Sequence, residues 1–176
     1  MFRLAIALIA LVVPSASFGQ ANDWLLTPSR AGKVIIGMTV EELYTVHGRS
    51  NVRLVDLYGE GMFYPALQVY AEFEQGAPIL VARIGDICHR QRVIGIDIHS
   101  VRFRTADGLG VGATVGEVRK LYPSARLNRE AGPSLIVESL HMTFAVADGT
   151  FADSVRVVKI WTWRQPSDSV RRCESH

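Results

Sequence analysis

Ile36-Gly37-Met38-Thr39-Val40-Glu41-Glu42-Leu43 returns 75 residues later as Val111-Gly112-Ala113-Thr114-Val115-Gly116-Glu117-Val118. Both copies contain Thr-x-x-Glu, the pattern in which a threonine hydroxyl accepts from the amide three residues on while the glutamate returns to the threonine amide. Apolar residues at helical spacing follow each cap: Val40, Leu43, Tyr44 and Val46 in the first, Val115, Val118, Leu121 and Tyr122 in the second. Gly48 stops the first helix and Pro123 the second. Two short helices opened by the same box therefore frame the chain.

Strand patterns follow both helices. Leu67, Val69, Ala71 and Phe73 alternate with Gln68, Tyr70, Glu72 and Glu74, the period of a half-buried antiparallel strand. Gln75-Gly76-Ala77-Pro78 reads as a turn, and Ile79–Ile84 and Arg92–Phe103 as further strands, the latter with Ile94, Ile96 and Ile98 on one face. After the second helix, Leu140, Met142 and Phe144 alternate with His141, Thr143 and Ala145, and a turn at Asp148-Gly149 leads to Val155–Trp163. The expected fold class is α+β: two similar helix-then-antiparallel-strand repeats, residues 20–104 and 105–176, forming a sheet with helices on one face of a single globular unit.

The glycine–small/Met–Thr–x–x–Glu–Leu/Val opening resembles the SmpA/OmlA (BamE-like) outer-membrane-assembly lipoproteins. Its tandem use resembles the β-lactamase inhibitor protein. The residues that carry the likeness are Gly37, Thr39, Glu42 and Leu43, with Gly112, Thr114, Glu117 and Val118. The resemblance implies the fold and a habit of binding proteins; the motif residues themselves read as caps. The chain departs from both families, having no lipid-attachment cysteine and only two cysteines in all, too few for a disulfide in each half.

The N-terminus has the three parts of a secretory signal: a charge at Arg3, an apolar run from Leu4 to Val13, and the small-residue exit Pro14–Ala21. Residues 1–19 are expected to be removed, with a cut after Ala21 as the alternative. The apolar run falls short of the ~20 residues that span a bilayer. Without Arg3 the 19 basic residues become 18 against 17 acidic ones. Such near-neutrality argues against nucleic acid as a partner. A periplasmic or secreted product without membrane span or lipid anchor is expected. In that oxidising setting Cys88 and Cys173 are expected to pair.

If Ile94, Ile96 and Ile98 face the core, Asp97 and His99 face away. Aligning Val158–Trp163 with Ile94–His99 sets Lys159, Trp161 and Trp163 on that same outer face. Tyr70, Arg83 and His141 join them as neighbours of core-facing residues. Tyr, Trp and Arg are favoured at protein contacts because they bury much area and keep a polar handle. These eight residues are the candidate partner-binding set. The competing reading packs Trp161 and Trp163 under the C-terminal tail. A second candidate is Tyr58-Gly59-Glu60-Gly61-Met62-Phe63-Tyr64-Pro65, read as a recognition loop or as a hairpin-like connection whose aromatics cover the core edge.

No catalytic residue is expected. The sequence holds no nucleophile elbow, P-loop or dinucleotide fingerprint, and its histidines show no paired metal-ligand spacing. No cofactor is expected either. The reading is an exported binding or inhibitor-like protein whose open sheet face takes an envelope or secreted protein. The alternatives are a small periplasmic hydrolase using Asp97, His99 or His141, and a structural envelope protein with no discrete ligand.

Overall fold

Both capping boxes form as the sequence predicts. In the computed structural model, which describes residues 23–59, 61–71, 76–130 and 132–163, the Thr39 and Thr114 amides each donate to a glutamate carboxylate at 2.7 Å. The Glu42 and Glu117 amides donate back to the threonine hydroxyls at 3.2 Å. They open α1 (Val40–His47) and α2 (Val115–Leu121). The expected signal segment, 1–19 or 1–21, lies outside the described residues.

The match extends beyond the boxes to how each is docked. Gly37 and Gly112 take positive φ, 95° and 90°, where an L side chain is strained. Their amides donate to the Val93 and Val157 carbonyls at 2.7 and 2.8 Å, and the valine amides donate back to the Met38 and Ala113 carbonyls. Arg92 and Arg156, each just before its valine, donate from Nη1 to the glycine carbonyls at 2.7 and 3.0 Å. One cap-and-dock unit thus occurs twice, with an Arg-Val pair on a strand as its receiving end.

Strands dominate everything else. About 47% of the described residues lie in strands and 16% in helical turns. A small sheet is made of β1 (Leu26–Thr27), β2 (Arg30–Ala31) and β3 (Val34–Ile35). The large one contains β4 (Val52–Gly59), β5 (Met62–Val69), β6 (Leu80–Ile87), β7 (Arg90–Ile98), β8 (Arg126–Asn128), β9 (Ser134–Val137), β10 (Met142–Val146) and β11 (Val157–Trp163). It is antiparallel throughout, in the order β4-β5-β6-β7-β11-β10-β9-β8.

The expected α+β class of helix–strand repeats is therefore corrected: the fold is mostly β, and its two helices have eight and seven residues. The physical reason lies in stretches that lack clean alternation. Val52–Gly59 mixes Val, Leu and Tyr with Arg53 and Asp56, yet pairs along its whole length with Met62–Val69.

One face of the large sheet carries the core. Val69, Leu80, Ile98, Ile160, Phe144 and Leu135 lie opposite one another across six strands, all fully buried. Leu43 of α1 and Val115 and Val118 of α2 join the same cluster. The expected inward row is corrected at one place. Arg83 pairs with Gly95 but Ile84 with Val93, a bulge that leaves Ile94 unpaired. Val93 is buried in its stead, while Ile94 is 43% exposed. Its side chain lies across Gly85, where an added Cβ would come within 2.9 Å.

Candidate functional site

The opposite sheet face is where the candidate residues meet. Register carries one row across all eight strands: Arg53, Gln68, Val81, Asp97, Trp161, Thr143, Ile136 and Arg126. Asp97 sits at its centre, 6% exposed, between β6 and β11. Such a carboxylate needs a partner, and Arg83 supplies one, Nη2 and Nε donating to Oδ1 at 2.7 and 3.1 Å.

The other predicted residues are likewise engaged. Lys159 Nζ stands 5.2 Å from the Trp161 ring centre. His141, in a left-handed conformation just before β10, packs its ring edge-on to Trp163 at 5.2 Å. Trp161 and Trp163 are half-buried. Tyr70, just past β5, donates to Gln68 Oε1 at 2.7 Å under the Arg53 guanidinium. Desolvation lowers the His99 pKa, opposed by the Asp97 carboxylate and helped by Lys159.

Seven of the eight predicted residues thus share one face, and Tyr70 stands at its margin. The histidines do not converge. His141 is in register with Trp163 and so with Gly95, two strands across and four residues along from His99. At about 4.8 Å per strand and 3.3 Å per residue, that is roughly 16 Å. Asp97, His99 and His141 do not form one acid–base constellation. Among the described residues no group of three or more His, Cys, Asp or Glu side chains is placed to hold a metal ion.

A second surface stands out more sharply. The segment expected as a loop or a cover for the core edge is the β4–β5 hairpin. Beyond Ala66, β5 has no β6 neighbour, because their pairing runs only from Ala66 to Val69. Met62–Pro65 therefore pair with β4 alone, the β4–β5 hairpin parting from β6, which itself runs on to Ile87 paired with β7. Pro65 falls where β5 parts from β6, so that its missing N–H costs no ladder bond on that side. Near the tip Tyr58 is 71% exposed and Phe63 70%. Tyr58 and Phe63 sit opposite in register with ring centres 5.2 Å apart. The glycines on either side of the turn gave the turn away; the exposure could not be read, because it depends on where β5 parts from β6.

Cys88 occupies the β6–β7 turn with φ of 57°. Cys173, its expected partner, lies outside the described residues. No helix among the described residues is long and apolar enough to cross a membrane.

No protein-family model matches the chain, and no curated protein matches it significantly. Among solved structures it is similar to an uncharacterized protein, yfeY from Escherichia coli, with a TM-score of 0.57 and 12% identity over 79% of this chain and 99% of that one. At that identity the likeness concerns the fold alone. It provides no link to the SmpA/OmlA lipoproteins or the β-lactamase inhibitor protein.

Proposed function

We propose that this chain is an exported binding protein that grips a protein partner with the β4–β5 hairpin, the sheet face that carries Arg83 and Trp161 forming the adjoining platform. The observation that carries the proposal is the exposed Tyr58–Phe63 ring pair on the part of the hairpin that has parted from β6. Exposed aromatics held in register lose little conformational freedom on docking, which makes them effective anchors. A partner of matching chemistry presents an apolar cleft that admits the hairpin tip. The sheet face behind it is polar and internally paired, suited to a rim.

Export rests on the signal-like N-terminus, and the oxidising compartment it leads to supports a Cys88–Cys173 bridge. Cys173 lies ten positions beyond Trp163 in the chain. Extended chain of that length reaches about 33 Å, enough to return along β7 to the β6–β7 turn.

The test compares capture of partners from envelope extract by the wild type, by Tyr58→Ala/Phe63→Ala and by Trp161→Ala/Trp163→Ala. The hairpin variant is expected to lose the specific partner at unchanged Tm, and the tryptophan variant to weaken capture without abolishing it. Equal recovery by the wild type and the hairpin variant would refute the hairpin as the anchor.

A further inference from the structure

β4 ends the large sheet, and its pairing with β5 fixes which of its backbone groups face the free edge. Antiparallel neighbours alternate between pairs that exchange both hydrogen bonds and pairs whose N–H and C=O groups point away from each other. Pro65 has no N–H, so its partner Asp56 belongs to the second kind. The same parity holds where the strand begins. There the Val52 amide donates away from β5 to the Arg49 carbonyl, while the Asn51 carbonyl accepts from the Tyr70 amide. Leu54, Asp56 and Tyr58 therefore direct their N–H and C=O groups outward, and no described strand pairs with them.

Proteins usually blunt such an edge with shortness, charge, proline or a bulge. The opposite edge follows that rule: β8 has three residues and begins on Arg126. β4 has eight, contains no proline and pairs without a shift in register. Beyond the buried Val52, its side chains on the same side are Leu54, Asp56 and Tyr58. Leu54 is 66% exposed, and Tyr58 carries the ring pair with Phe63. Asp56 is exposed as well and forms no ion pair among the described residues. One acid thus stands between two apolar side chains on an open backbone ladder.

We infer that β4 takes an added strand from the partner protein: an extended segment with apolar, basic and apolar side chains at alternate positions, the basic one opposite Asp56. The inference rests on the hairpin reading above and says how the partner lies against the hairpin. In strand addition the ladder bonds supply affinity and the alternate side chains supply choice. Asp56 turns away a strand that brings an acid or an apolar residue over its carboxylate, and accepts one that brings Lys or Arg. A second copy of this chain does not meet that requirement. With outward-bonding residues set opposite one another, its β4 offers Asp56 only Val52, Leu54, Asp56 or Tyr58, none of them a cation.

The probe is acetyl-Thr-Val-Thr-Lys-Thr-Val-Thr-amide, titrated into the whole protein beside the peptide with Glu for Lys and one with the lysine backbone nitrogen methylated. The Lys peptide should bind 1:1, about fivefold or more tighter than the Glu peptide. Methylation, which removes the central ladder bond, should weaken it about tenfold. Hydrogen exchange should show the Leu54, Asp56 and Tyr58 amides becoming protected in the complex, with Val55 and Leu57, already bonded to β5, unchanged. Asp56→Lys should reverse the preference between the two charged peptides. Asp56→Pro, which removes an outward N–H and the carboxylate together, should abolish binding of the Lys peptide. No binding of that peptide at millimolar concentration, equal binding of the methylated one, or unprotected amides at 54, 56 and 58 would each overturn the inference. So would a homodimer, seen by sedimentation, that Asp56→Pro dissolves. Capture from envelope extract that is lost in Tyr58→Ala/Phe63→Ala but kept in Asp56→Pro would overturn strand addition and leave the hairpin anchor standing. Capture kept by both would overturn the anchor, and the peptide titration then decides the edge. If Asp56→Pro fails to fold, the three peptides, Asp56→Lys and the exchange pattern still decide.

Discussion

Asp97 and Arg83 show how the face opposite the core is held at the level of single residues. The carboxylate is 9% exposed and the guanidinium 45%, so the acid depends on the pair more than the base does. Arg83→Met leaves a buried carboxylate without its donor and should cost about 2 kcal/mol, less than the full price of a deeply buried pair because water reaches the site. The double variant Arg83→Met/Asp97→Leu should regain most of that loss. Chemical denaturation of the two proteins checks the prediction; equal losses in both would mean that the pair does not hold the acid in place. That Asp97 and Trp161 share a face was legible from alternation alone, because Ile96, Ile98 and Ile160 mark the inward side. The position of Ile94 was not, since a bulge inserts one residue without leaving any sign in residue type.

Among the elements, the two helices are the part of the fold most clearly written in the sequence. Thr39 and Thr114 make the same pair of hydrogen bonds at the same distances. Thr39→Ala and Thr114→Ala should each destabilise the protein by about 1 kcal/mol. Since the sites share no partner, the double variant should lose close to the sum, as thermal or urea unfolding will show; a much larger loss would reveal coupling through the core. The receiving Arg92 and Arg156 went unread because they are 64 residues apart while the caps are 75 apart, so no fixed offset links the two units. Edge strands were hard to find for a related reason. β4 and β8 have one neighbour each, and a strand half open to solvent tolerates charges that blur its period.

The molecule as a whole should show a two-stage loss of stability in acid. His47 and His99 both have pKa values below 6.5 in the folded state, so the unfolded chain binds their protons more readily. Their contribution is complete above pH 6.5 and declines as pH falls toward 5. Glu42 and Glu117, held below 4.5 by the threonine hydrogen bonds, contribute above that value and lose their contribution only as pH falls further. Tm measured across pH 4–7.5 should therefore fall first in the histidine window, and His47→Gln should flatten that first step. A Tm constant from pH 7 to 5 would contradict the assignment. The architecture accounts for the division of labour: one face buries the core, the other is largely paired and polar, and the end of the β4–β5 hairpin, free of β6, carries the exposed rings of Tyr58 and Phe63. Photo-crosslinking from that hairpin is the most direct test of its role. A benzophenone side chain placed at Phe63, compared with one at Leu127 on the far edge strand, should yield one discrete protein adduct in envelope extract, suppressed by Tyr58→Ala. No adduct at 63, or the same adduct from 127, would contradict recognition by the hairpin.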